Sequence, residues 1–244
     1  MHALDDFTLR DMTECSVALR QCGSIAKSAS DVAENVVSFL YDNLIESTSG
    51  QRACALVRFF QTRELAELDA DLQGRAANLL GDHETSPDLK CLTLMSTHGL
   101  KPEWNDISQS DSHRAIPLPS PEFVKEFPMI ATLVKQLGFE LDQVVSPEPS
   151  LLMDLARTTC NVFHVPDAVG SPYVPAQENF VVPFGIKSVL GFGGMLPAGE
   201  LFSVILFSTV AIPFETAQMF KTLALSVKLA LLSPLLAAPF PPRG

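Results

Sequence analysis

Residues 184–231 read FGIKSVLGFGGMLPAGELFSVILFSTVAIPFETAQMFKTLALSVKLAL. Ile186–Phe192 has the length and β-branched content of a strand, Gly193–Glu200 supplies a glycine- and proline-bearing turn region, and Leu201–Thr209 returns as a second strand. Pro213 then precedes a helix predicted over 214–232, in which Phe220, Leu223, Ala224 and Val227 share a face. Upstream, Cys160–Val165 (CNVFHV) reads as one more strand. Near the N-terminus, Asp31 and Glu34 form a capping-box-like start to a helix over 31–46, whose apolar face is Val32, Val36, Leu40 and Leu44. After Glu46–Gly50 breaks that helix, Ala53–Phe60 (ACALVRFF) is a near-continuous apolar run of strand length. Helices leading into core strands, and a hairpin leading into a helix, put the chain in the α+β class.

The middle third is less regular. A helix is predicted around 64–80 and a strand over Leu89–Thr97, followed by a long polar loop over 99–121. Pro128 opens a helix carrying Ile130, Leu133, Val134 and Leu137 that Gly138 ends, and Leu151, Leu152 and Leu155 suggest another short helix. A helix over 4–24 spaces Thr8, Met12, Cys15, Leu19 and Cys22 in a 4-3-4-3 seam, which suits either a dimer contact or packing on its own domain.

Composition narrows the function. The 244 residues are 47% hydrophobic, ample to offset the entropy of ordering, which excludes a disordered chain. A net charge of −11 argues against a binder of nucleic-acid backbone. Cys15, Cys22, Cys54, Cys91 and Cys160 are scattered without a C-x-x-C pair and read as reduced thiols. Asp5, Asp6, Asp11 and Glu14 leave no apolar leader segment. Met219–Phe240 approaches the roughly 20 apolar residues of a membrane span, but Lys221 and Lys228 fall on one helical face and Pro234 is expected to end the helix. That stretch reads as a helix packed on a sheet, so a cytoplasmic protein without a membrane partner is expected.

The stretch quoted above resembles the C-terminal half of a GAF domain, with its "SvL" hairpin running into an amphipathic helix. The helix over 31–46 leading into CALVRFF resembles the N-terminal half, and NVFHVPDAVGSPYVPAQENF the short segment before the hairpin. The likeness covers about 25–60 and 160–232. It implies a GAF/PAS-like central antiparallel sheet, helices packed on one face, and a ligand pocket on the other under an elaborated insertion at about 62–158. The expected organisation is an N-terminal helix over 1–24, a single domain over 25–232 and a proline-rich tail over 233–244. The resemblance further implies a non-catalytic sensing domain for a small molecule or redox signal, acting as a homodimer through its terminal helices. Its output would be a histidine kinase or other signalling module of a two-component type, in cis or in trans.

Candidate site residues follow from strand alternation in such a fold. Cys160 and His164 share one side of their strand, and Phe163 takes the other. With Tyr173, Phe184, Phe192 and the loop histidine His113 they form the expected ligand-binding set. Haem needs one axial ligand in an apolar pocket, which His164 or His113 would supply; each is equally explained as a solvated or hydrogen-bonded histidine. No zinc motif is present. Gly191–Gly194 lacks the Lys-Ser/Thr of a phosphate loop and reads as a turn needing permissive backbone angles. Trp104 reads as a lid or a packing residue. No G-x-S-x-G is present, and a small thiol-dependent redox enzyme of GAF fold, of the free methionine sulfoxide reductase type, remains the catalytic alternative.

Overall fold

The computed structural model describes residues 1–110, 114–147 and 160–237. The predicted helix at Leu151–Leu155, His113 and the end of the proline-rich tail lie outside the described residues. Helix α1 (Leu9–Ser24) is capped by Thr8 with Asp11, and α2 (Ala29–Asn43) by Ser28 with Asp31. The second box therefore begins three residues earlier than the Asp31–Glu34 pairing predicted from sequence. Asp31 serves as its acidic third residue, while Glu34 is engaged elsewhere.

A short parallel pair, β1 (His2–Ala3) with β2 (Leu44–Ile45), ties the N-terminus to the end of α2. The main sheet holds β3 (Cys54–Glu64), β4 (Lys90–Gly99), β5 (Ala115–Pro117), β6 (Cys160–Val165), β7 (Ser188–Met195) and β8 (Leu201–Ser208). Its order is β5-β4-β3-β8-β7-β6, with every neighbouring pair antiparallel. This is an α+β arrangement built on one antiparallel sheet, as expected from sequence. The segment 62–158, expected as an insertion, contributes β4 and β5 to the sheet itself. Strand β5 falls inside the predicted loop over 99–121. Its three residues are too few to show periodicity.

Alternation along the strands separates two cores. Val57, Phe59, Leu190, Phe192, Val204 and Leu206 join α1, α2 and the C-terminal helix in one. Leu56, Phe60, Val189, Ile205 and Phe207 face the other way, towards α4 (Pro121–Lys125), α5 (Pro128–Gln136), α6 (Leu141–Val145) and the loop after β6. Helix α3 (Ala70–Leu80) packs beside β5. A bulge shifts the β3–β4 register between Phe59 and Phe60, opposite which Met95 is the extra residue. Because of it, Leu92 and Leu94 face the second core while Ser96 and His98 turn to α2, where both reach Glu34 at 2.7 Å.

Glycines 191, 193 and 194 lie within β7 rather than in the turn expected there, and none has a positive φ. Gly191 and Gly193 serve close approach instead: a Cβ on Gly191 would lie 2.9 Å from Leu133 Cδ1 and 3.3 Å from Phe163, and one on Gly193 2.9 Å from the Ser203 Cα. Helix α7 (Phe214–Ala237) runs through Pro234, where the sequence predicted its end. Proline has no N–H to donate, which leaves the Ala230 carbonyl four residues back without its helical partner. That carbonyl faces Gly23 of α1, where any Cβ would collide with it. Cys15, Leu19 and Cys22 of the predicted seam are buried in this α1–α7 packing within the chain. Among the described residues no helix is long and apolar enough to cross a membrane.

Candidate functional site

On the sheet face opposite α1, α2 and α7 lies a cavity of about 570 Å³. That size is within the range of small-molecule sites. Leu56, Arg58 and Phe60 of β3, Leu92 of β4, Ile116 of β5, and Ile205 and Phe207 of β8 line its floor. Its roof comes from three places. Trp104 stands on the turn after β4, and Phe127–Ile130 with Leu133 form the start and inner face of α5. The third part is Pro172, Tyr173, Pro175 and Ala176 together with Phe180 and Phe184.

The roof loop is held by one side chain. Gln177 Nε2 donates to the carbonyls of Ala168 (2.9 Å) and Val174 (2.8 Å), and its Oε1 accepts from the Gly170 N–H at 2.8 Å. Beside it, Ala176 adopts φ +58°, a left-handed conformation unfavourable for a residue with a Cβ, and opens a single π-helical turn over Gln177–Val181. Strained backbone and π-turns both concentrate at functional sites. Here they set Ala176 and Asn179 in the cavity wall.

Aromatic rings supply the densest part of the wall. Trp104 meets Phe184 at 4.6 Å and Phe180 at 5.5 Å in edge-to-face geometry, and Phe180 meets Phe207 at 5.0 Å. Lys101 lies over the Trp104 and Phe184 rings, 5.5 and 5.1 Å from their centroids, and pairs with Glu103 at 3.6 Å.

Arg58 is the charged group of the floor. Its Nη2 donates to Ser110 Oγ at 3.2 Å, whereas its Nε is buried without a partner among the described residues. Burial pushes the guanidinium below the ordinary arginine range, and no described carboxylate ion-pairs with it. Thr97 stands directly opposite Arg58 on β4 and shares its face, since paired residues of an antiparallel ladder project to the same side. The Thr97 hydroxyl is buried and also unpartnered.

Of the residues expected from sequence, Tyr173 and Phe184 are in the cavity wall. Phe163 points to the same side of the sheet but is sealed beneath α5 and β7. Cys160, His164 and Phe192 face the helices. Phe192 packs edge-to-face on Phe220 at 5.4 Å, and Cys160 joins the helix-side core. Alternation puts Cys160 and His164 together, as read from sequence, but α7 covers the side they share. Burial lowers the His164 pKa below its ordinary value, opposed in part by the Ile212 backbone. Among the described residues no histidine lines the cavity, so His164, expected as an axial ligand, stands outside it. No thiol lines it either. Burial pushes Cys15 and Cys54 up to about 12 and Cys91 up to about 11. Cys160 is also raised by burial, with Lys228 opposing.

Arg58 and Thr97 carry no motif, and Trp104, read as a lid or a packing residue, forms part of the roof. The signal available for Arg58 was a single charge inside the apolar run ACALVRFF.

No protein-family model matches the chain, and no curated protein matches it. Among solved structures it is similar to a free methionine-R-sulfoxide reductase from Neisseria meningitidis in complex with its substrate. That similarity has a TM-score of 0.48 and 13% sequence identity, over 98% of this chain and 100% of the other.

Proposed function

We propose that this chain is a small-molecule-binding domain of GAF-like fold, which holds its ligand between the sheet and the roof formed by Trp104, α5 and residues 172–184. The apolar cavity of about 570 Å³ carries this reading. Its wall is largely aliphatic and aromatic, with a few polar groups placed to orient a ligand, as in small-molecule sites generally. The terminal helices α1 and α7 lie across the sheet from the cavity. Strands β3 and β8 supply residues both to its floor and to the helix-side core. A ligand that favours one packing of those strands would shift the α1–α7 pair, which is how the domain would pass its state to a signalling output.

The test is uptake of the neutral fluorophore N-phenyl-1-naphthylamine. Wild-type protein should bind it with a rise in emission. Met129→Trp, which adds volume at the cavity wall, should weaken uptake about tenfold or more while leaving the unfolding transition in place. Uptake unaffected by the substitution would reject the cavity as the site. Turnover of free methionine sulfoxide with a dithiol reductant would instead favour the thiol-dependent enzyme.

A further inference from the structure

An apolar cavity alone leaves the chemistry of its ligand open; the cavity floor narrows it. Arg58 projects from the middle of β3 into a largely apolar space, and Leu56 and Phe60 flank it on the same face of the strand. A guanidinium has five N–H donors in a planar fork. One of them reaches Ser110 Oγ, and the Nε donor is buried unpaired. Across the ladder Thr97 shares this face but does not line the cavity, and its buried hydroxyl, without a partner among the described residues, supplies no counter-charge for Arg58. Buried polar groups left without partners are unfavourable and uncommon in native proteins. Arg58, with such a donor on the floor of a cavity, is what a bound oxygen anion would satisfy.

We propose that the ligand is a monoanionic carboxylate with an apolar, preferably aromatic, body. Its carboxylate lies against Arg58, and its body fills the space under Trp104, Phe180 and Phe184. The single charge follows from the site. Arg58 is the one cation on the described floor, Glu126 in the wall disfavours further negative charge, and Lys101 is occupied by two aromatic faces and Glu103. A planar carboxylate also matches the guanidinium fork in a two-bond geometry that a neutral amide cannot reproduce. This inference rests on the proposal that the cavity binds small molecules, and its test separates the two.

The test compares 1-naphthaleneacetate with its uncharged isostere 1-naphthaleneacetamide by calorimetric titration, alongside N-phenyl-1-naphthylamine uptake as the probe of the cavity itself. The wild type should bind the acid about 10- to 100-fold more tightly than the amide. Arg58→Met should abolish that preference while the neutral fluorophore still binds, which also shows the variant to be folded. Equal affinity for acid and amide in the wild type, or an acid preference that survives Arg58→Met, overturns the carboxylate inference and leaves the cavity reading standing. Failure of the acid to bind while the fluorophore binds does the same. Failure of all three probes overturns both.

Discussion

An arginine inside an apolar strand is a placement that folding alone does not favour, because burying a charge without a counter-charge opposes stability. Arg58 stands out in ACALVRFF for that reason, yet nothing in the run shows which way it points or what lies opposite. Those facts depend on the β4 register, which depends in turn on the bulge at Met95. Gly23 is a second residue whose role is invisible along the chain. It sits in a helix, where glycine is unfavourable relative to alanine, because α1 approaches α7 so closely that a Cβ would lie 2.6 Å from the Ala230 Cα. Gly23→Ala should therefore destabilise the protein by about 1–3 kcal/mol despite its better helix propensity. Urea denaturation measures this, and a midpoint at or above the wild-type value would show that the helices separate freely.

Elements with strong periodicity were legible and those fixed by tertiary pairing were not. Strand β6 lies where CNVFHV places it, and β8 differs by one residue from Leu201–Thr209. Helix α7 runs past Pro234, and the carbonyl released there lies against Gly23 of α1, a relation no local signal carries. Helix α2 and strand β4 are joined through Glu34, which accepts from Ser96 Oγ and pairs with His98 at 2.7 Å, with Ser38 Oγ at 3.3 Å. Burial opposes ionisation of Glu34, and the hydrogen bonds from Ser96 and His98 outweigh it, so its carboxyl titrates below its ordinary value of 4.5. A depressed carboxyl stabilises the fold above its unfolded-state pKa and loses that contribution as pH falls through the folded value. Glu34→Gln should therefore lower stability near neutral pH by less than about 1 kcal/mol, since the side chain is half exposed. The gap to wild type should narrow as pH falls to about 3. A gap independent of pH would mean that the Glu34 charge plays no part in holding α2 to β4.

At the scale of the molecule, one sheet divides a helix-side core from a cavity-side core, and β3 and β8 at its centre contribute to both. Spacing was sufficient for the α+β class and for most of the elements, whereas the layering was expected only from the family resemblance. The occupied faces were less legible: Cys160, His164 and Phe192 lie on the helix side because α7 closes over that face of β6 and β7. The central claim is that the opposite face receives a small molecule. Amide hydrogen exchange of the full chain, with and without saturating N-phenyl-1-naphthylamine, tests it most directly. Protection should appear in the roof, over 101–107, 127–136 and 172–184, with a smaller change along α1 and α7. Protection confined to the helix side, or none in the roof under saturating conditions, would contradict it.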